Sequence, residues 1–185
     1  MNSYDNLNEK TLTSKQIFDG YILHLYLDEI ELPNGNKSTR EVIRHLGAVG
    51  IVPVTEDGKV VIERQFRYPL NRVVTEIPAG KLDSLSEDRL EAAKRELREE
   101  TGITADEWID LGGYHPAAAY CDEYLTLYLA KGLNMGTQDL DEDEFLNIEM
   151  VPIKELVDDI FAGKITDGKT QVAILKAARY LGVIS

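Results

Sequence analysis

Hydrophobic side chains recur at strand-like spacing over much of the N-terminal part of the chain, in blocks that end at turn residues. Residues 22–32 and 39–45 form two such blocks, and Asn34-Gly35 between them supplies the positive φ of a tight hairpin turn. Residues 1–46 are therefore predicted to form an antiparallel β layer, separate from a larger domain over residues 47–185.

The rest of the chain mixes strand-like and helix-like blocks. Strands are predicted at 48–54, 59–65, 73–77, 108–114, 124–130 and 145–151. Capping residues and glycines predict three helices: from an N-cap at Ser86 to Gly102, after Pro152, and after Asp167. Because strands and helices do not alternate regularly, we expect an α+β fold with a mixed sheet flanked by helices, not a doubly wound parallel sheet.

Charge narrows the possible partners. The 185 residues include 33 Asp and Glu against 20 Lys and Arg, a formal net charge of −13. Such a field repels phosphate backbones and anionic lipids, so neither nucleic acid nor membrane is expected as a partner. Cys121 is the only cysteine, and the N-terminus has no signal-peptide pattern, which together favour a cytoplasmic location.

The candidate chemistry lies in the predicted helix before Gly102. At about 100° per residue, Glu96, Glu99 and Glu100 share one helix face. A solvated acidic face is the simplest interpretation. Like charges four residues apart repel, however, and at helical spacing only Arg95 can pair with one of the three, Glu99. A divalent cation would offset the repulsion, and oxygen ligands suit Mg²⁺ or Mn²⁺.

The segment from Arg95 to Ile103 reads RELREETGI and resembles the second half of the Nudix box, R-E-U-x-E-E-x-G-U. Seven residues separate Glu87 from Arg95, as in the box. Six residues separate Gly80 from Glu87 where the box has five, so the loop carries a one-residue insertion.

This resemblance implies a Nudix-type α/β/α sandwich that hydrolyses nucleoside diphosphates linked to another group, with Mg²⁺ or Mn²⁺. It implies metal ligands at the Ala79 carbonyl, Glu96, Glu99 and Glu100. It also implies structural roles at four box positions, Gly80, Glu87, Arg95 and Gly102.

Outside the box, the chain resembles the ADP-ribose pyrophosphatase branch, through segments such as Gln65-Phe66-Arg67 and Glu76-Ile77-Pro78-Ala79-Gly80. The resemblance implies that Arg67 lies near the substrate diphosphate, although a plain surface arginine is an alternative. Arg40 and Arg44 are further candidates, and Glu123 matches a substrate-site glutamate. The loop at 117–121, AAAYC, departs from the branch's usual Ser-Pro-Gly-Phe.

A second acidic stretch, Asp141-Glu142-Asp143-Glu144, is by default a solvated loop. In the branch, a glutamate on this loop activates the attacking water. Alignment of Leu146, Ile148 and Met150 with the family strand places that base at Glu142 and a further metal ligand at Glu144.

The function implied is Mg²⁺-dependent hydrolysis of ADP-ribose to AMP and ribose 5-phosphate. Another nucleoside diphosphate sugar, a dinucleotide, or a non-catalytic sensor of such compounds is the alternative. Apolar residues occupy both faces of residues 22–32, which predicts cover on both sides and a homodimer through residues 1–46. The resemblance to the ADP-ribose pyrophosphatase branch agrees with this prediction, since members of that branch dimerise through their N-terminal segment. The alternative is a hairpin that folds back wholly on its own domain.

Overall fold

A computed structural model describes residues 4–140 and 145–185 of the chain. These residues form two compact units. The N-terminal unit runs to Leu46 and includes His115–Glu123, whereas the larger unit comprises Gly47–Tyr114 and Tyr124–Ser185. Within the described ranges, no helix combines the length and apolarity that a bilayer crossing needs.

The N-terminal unit is a three-stranded antiparallel sheet in the order β1-β2-β3. Its strands are β1 (Lys10–Asp19), β2 (His24–Glu31) and β3 (Lys37–Arg44). Gly35 adopts φ +82° in the turn before β3, as the Asn34-Gly35 pair predicts. The polar sequence of β1 gave no strand signal, and nearly every residue of β1 is exposed.

The segment at His115–Glu123, which the sequence pattern places in the larger domain, packs with the N-terminal unit. The Ile43 amide donates to the Tyr120 carbonyl at 2.7 Å, and the Asp122 amide donates to the Ile43 carbonyl at 3.2 Å. The His45 amide donates to the Asp122 carboxylate at 2.8 Å. These three hydrogen bonds, two between backbone groups and one to a side chain, tie the segment to the end of β3.

The larger unit contains a mixed four-stranded sheet, β7-β4-β9-β8, and an antiparallel sheet, β10-β5-β6. The strands are β4 (Ala48–Pro53), β5 (Lys59–Arg67), β6 (Arg72–Glu76), β7 (Ala79–Lys81), β8 (Thr104–Tyr114), β9 (Leu125–Asn134) and β10 (Leu146–Pro152). Because β4 pairs with β9 in parallel and with β7 antiparallel, the predicted mixed sheet is confirmed.

Helices cover the mixed sheet on both sides. They are α1 (Arg89–Thr101), α2 (Ile153–Phe161) and α3 (Gly168–Tyr180). All six residues of β4 are buried although their side chains alternate between faces, which requires cover on each face. Ala48 and Val52 join the hydrophobic cluster of α2 and α3, and α1 packs against β4 and β7. The expected α/β/α sandwich is therefore confirmed.

Helix α1 starts later than its sequence predicts. Asp88, not Ser86, is the N-cap, and its carboxylate accepts from the amides of Leu90 at 2.9 Å and Glu91 at 3.1 Å. Ser86 lies inside a turn in which the Glu87 amide donates to the Ser84 carbonyl at 3.2 Å, so the helix begins after this turn. Gly102 ends α1 in the left-handed conformation at φ +71°, as predicted.

Candidate active site

Two carboxylates of α1 converge on Ala79-Gly80, the first two residues of β7. The Glu100 carboxylate is buried and accepts a hydrogen bond from the Ala79 amide at 2.9 Å. The Glu96 carboxylate lies directly against Gly80, where a Cβ atom would come within 1.9 Å of the Glu96 carboxyl carbon. Gly80 has no positive φ, so backbone conformation does not call for glycine here, but a Cβ atom would displace the Glu96 carboxylate.

Arg95 organises the remaining charges of the helix face. Its guanidinium contacts Glu87 at 3.2 Å, Glu96 at 2.7 Å and Glu99 at 3.3 Å. Burial alone would lower the pKa of Arg95, but the charges of Glu96 and Glu87 outweigh burial and raise it. The expectation that Arg95 pairs only with Glu99 among the three carboxylates was wrong, because the long side chain also folds onto the adjacent Glu96.

The loop before α1, which carries the one-residue insertion, has a buried base and an exposed tip. Leu85 is 82% exposed, whereas Leu82 is buried and its amide donates to the Gly47 carbonyl at 3.1 Å. The Asp83 amide donates to the Glu87 carboxylate at 2.6 Å, which links the loop to the Glu87–Arg95 ion pair. Gly80 keeps its place beside Val49 in the β4–β7 ladder, so the insertion leaves the Gly80–Glu96 contact intact.

The C-terminal end of α1 anchors the chain that leads toward the second acidic stretch. The Gln138 side chain donates to the Glu100 carbonyl at 2.6 Å, and the Asp139 amide donates to the Glu99 carbonyl at 2.9 Å. At Gly102, a Cβ atom would lie 2.5 Å from the Thr137 carbonyl carbon. Glu142 and Glu144, the expected base and further metal ligand, lie outside the described residues.

Arg67, the last residue of β5, belongs to an ion-pair network around Glu76, the last residue of β6. Its Nε and Nη2 atoms donate to Glu76 at 2.7 and 2.9 Å, and the Glu76 carboxylate also contacts the Lys169 ammonium. Burial alone would raise the pKa of Glu76, but Arg67 and Lys169 hold it below its usual value. The Glu76 hydrogen bonds raise the pKa of Arg67, and the charge of Glu100 adds to this rise.

Sequence reasoning missed Glu76 and Lys169 as partners of Arg67. One signal was available for Glu76. It alternates with the apolar Val74 on β6, and a charged side chain at a buried strand position requires a partner. No local signal identifies Lys169, because its contact with Glu76 joins residues 93 positions apart.

Three further candidates, Arg40, Arg44 and Glu123, belong to the N-terminal unit. Arg40 forms a double ion pair with Glu9 and lines a cleft of about 420 Å³ with Tyr120 and Cys121. Arg44 contacts Asp122 at 3.2 Å and the buried Asp28 at 3.1 Å. The Glu123 carboxylate lies 4.0 Å from Nδ1 of His45.

Comparison with known protein families assigns both parts of the chain. A family described as "NUDIX domain" matches residues 44–170, and one described as "Nucleoside diphosphate sugar hydrolase N-terminal domain" matches residues 9–43. The chain belongs to the Nudix family. Members of this family generally depend on a divalent metal ion.

Individual relatives agree with this family. The chain is 39% identical to an ADP-ribose pyrophosphatase of Bacillus subtilis, over 91% of this chain and 92% of the relative. It is 40% identical to a methanol dehydrogenase activator of Bacillus methanolicus, over 90% of each chain. A crystal structure titled "ADP compounds hydrolase" has the same fold, with a TM-score of 0.84, 21% identity and 96% coverage of each chain.

The donor chemistry of the Nudix box fits a hard divalent cation. Glu96 and Glu100 offer oxygen atoms beside the Ala79-Gly80 segment of β7, and the predicted ligand set contains no nitrogen or sulfur ligand. In residues 4–140 and 145–185, no three His, Cys, Asp or Glu side chains form a compact metal-binding group. Glu96 and Glu100 lie against the Ala79-Gly80 segment, whereas the contacts of Glu99 are with Arg95 and Arg98.

We expect Gly80→Ala to displace the Glu96 carboxylate, because a methyl group would occupy its place. Divalent-cation affinity should fall by about 10- to 100-fold, the loss typical when a ligand is misoriented. Titration calorimetry with Mn²⁺ measures this affinity. Gly168→Ala is the matched control, since no atom lies within 4 Å of the Cβ position there. Equal affinity in wild type and Gly80→Ala would contradict the role of this contact.

Proposed function

We propose that this Nudix protein hydrolyses the diphosphate of ADP-ribose to AMP and ribose 5-phosphate, with Mg²⁺ as the cation. The observation that carries the proposal is the convergence of Glu96 and Glu100 on the Ala79-Gly80 segment of β7. Relatives named ADP-ribose pyrophosphatase, at 39% and 33% identity over at least 90% of the chain, support the choice of substrate.

The acidic residues would share the work of holding the cation and activating water. Glu96, Glu99, Glu100, Glu144 and the Ala79 carbonyl are the proposed ligands. A bound Mg²⁺ neutralises diphosphate charge and lowers the pKa of a bound water. Glu142 is the proposed base that takes the proton of the attacking water. The water oxygen bonds to one phosphorus as the bond from that phosphorus to the bridging oxygen breaks.

Positive charge is needed to bind an anionic substrate on a chain whose net charge is −13. Arg67 is the proposed diphosphate contact, because a guanidinium binds phosphate oxygens with directional hydrogen bonds. Arg40, Arg44 and Glu123 are proposed to contact other parts of the substrate.

A cytoplasmic location, expected from the single Cys121, stays a prediction.

A substrate panel tests the proposal. Purified protein is incubated with ADP-ribose, other ADP-sugars, GDP-mannose and a dinucleotide, each with Mg²⁺, with Mn²⁺ and with a chelator. GDP-mannose is included because a GDP-mannose pyrophosphatase of Pectobacterium atrosepticum is 31% identical over 92% of this chain. Metal-dependent release of AMP and ribose 5-phosphate, with the highest kcat/KM for ADP-ribose, is expected.

Two other outcomes would redirect the proposal. A higher kcat/KM for another compound would retain the diphosphate chemistry and replace ADP-ribose as the substrate. Tight binding of a nucleotide sugar without turnover in either metal would contradict hydrolysis and favour a sensor.

We expect Glu142→Gln to lower kcat by about 10² to 10⁴ with little change in KM, the range typical of a lost general base. Glu144→Gln should instead raise the Mg²⁺ concentration required for half-maximal rate. Steady-state kinetics over a Mg²⁺ series separate the two effects. A large fall in kcat for Glu144→Gln together with none for Glu142→Gln would reverse the two assignments.

We also propose a homodimer, with residues 1–46 as the dimerisation segment. Several large apolar side chains near the β1–β2 connection are about half exposed or more: Ile17, Phe18, Tyr21, Ile22 and Leu23. A second copy of the chain would cover them, and two-fold pairing is the commonest arrangement.

Sedimentation equilibrium tests the dimer at micromolar concentration. The expected mass is twice the 20.8 kDa of one chain. Ile22→Glu should shift the protein toward the monomer, because it places a charge among these apolar side chains. Leu85→Glu, at an exposed apolar residue of the larger unit, should leave the mass unchanged. A wild-type mass of 20.8 kDa would rule out the dimer.

A further inference from the structure

Lys169 stands at the start of α3 with its ammonium on the buried Glu76 carboxylate. The side chain of Glu76 is 3% exposed and that of Lys169 is 16% exposed. Lys169 also lies 3.3 Å from Asp167, and these two carboxylates are the polar partners that the described residues give it. Lys169 therefore acts electrostatically on Glu76.

Another side chain already fixes the backbone at this point. Thr170 is fully buried, and its hydroxyl accepts from the Ile77 amide at 2.9 Å and donates to Asp167 at 2.6 Å. This contact joins α3 to the chain just before β7. Within the described ranges, the Lys169 ammonium contacts carboxylates and no backbone group, so its contribution at this point is one of charge.

Arg67 is held on one edge and open on the other. Its Nε and Nη2 atoms are engaged by Glu76, whereas Nη1 donates no hydrogen bond to any residue in the described ranges. The side chain is 43% exposed. A guanidinium fixed along one edge loses little further freedom when its remaining amine binds a phosphate oxygen.

We infer that Lys169 is a positioning residue for substrate binding: it secures Glu76, and Glu76 presents the Nη1 amine of Arg67 to the substrate diphosphate. A buried carboxylate requires compensation by positive charge. Without Lys169, Arg67 would be the one described cation left to compensate the Glu76 charge. Its guanidinium would then be drawn more tightly toward the carboxylate. The inference rests on the proposed function, since it requires a diphosphate at Arg67.

A double-mutant cycle tests this inference through ADP-ribose hydrolysis at saturating Mg²⁺. The proteins are wild type, Lys169→Met, Arg67→Gln and the double variant. Arg67→Gln should lower kcat/KM by about 10- to 100-fold, as expected for lost hydrogen bonds to a charged group. Lys169→Met should lower kcat/KM by about 3- to 10-fold, mainly through KM. In the Arg67→Gln background, Lys169→Met should have no further effect.

Independent, multiplying effects of the two substitutions would overturn the inference, because Lys169 would then act without Arg67. Lys169→Arg should restore kcat/KM to within about 2-fold of wild type, since it keeps the charge. Lys164→Met is the matched control. It removes a lysine that is 70% exposed and paired with Asp159, and should leave KM unchanged. An equal rise in KM for Lys164→Met would also overturn the inference.

Folding and substrate choice are controlled separately. Thermal melting of each variant precedes the assays, and Lys169→Gln replaces Lys169→Met if the latter does not fold. If the wild type prefers another diphosphate, the proposed substrate is wrong and the cycle is measured with that compound. If no compound is hydrolysed, the proposed function fails, and the cycle is measured as Kd for ADP-ribose by calorimetry, with the same criterion.

Discussion

The contact between the Glu96 carboxylate and the bare backbone of Gly80 is the constraint on which the candidate site depends. A side chain at residue 80 would occupy the space of the Glu96 carboxylate and displace it. One turn later along α1, the buried Glu100 carboxylate accepts from the Ala79 amide at the start of β7. The two contacts bring carboxylates of α1 against the Ala79-Gly80 segment, where they are proposed to hold the cation.

The surrounding structure tolerates this concentration of negative charge because cations compensate it at two separate places. Arg95 joins Glu87, Glu96 and Glu99 on the loop side of α1. Arg67 and Lys169 compensate the buried Glu76. In each case the carboxylates are ordered by arginine, which binds two oxygens in a fixed plane. The site therefore combines fixed ion pairs with carboxylates that converge on the start of β7.

Sequence alone predicts the parts of this account that depend on local spacing. Helical periodicity places Glu96 and Glu100 on one face, and Gly102 marks the end of α1. The sequence does not place the start of α1 correctly, because the turn at Ser84–Glu87 moves the N-cap from Ser86 to Asp88. The polar strand β1 gave no pattern because few of its side chains enter a core. The Lys169–Glu76 contact depends on packing of α3 against β6, which no short segment encodes.

The most direct test of the central claim is the Mg²⁺ dependence of turnover in Glu100→Gln. Glutamine keeps the shape and a carbonyl oxygen for the Ala79 amide, and it removes one charge from the proposed metal site. We expect kcat at saturating Mg²⁺ to fall by more than about 100-fold. This is a larger loss of activity than is typical when a residue that hydrogen-bonds to a metal ligand is replaced. Thermal stability without metal should stay level or rise, because repulsion from Glu96 is relieved. A Glu100→Gln variant with wild-type kcat would contradict the assignment of this helix face as the metal site.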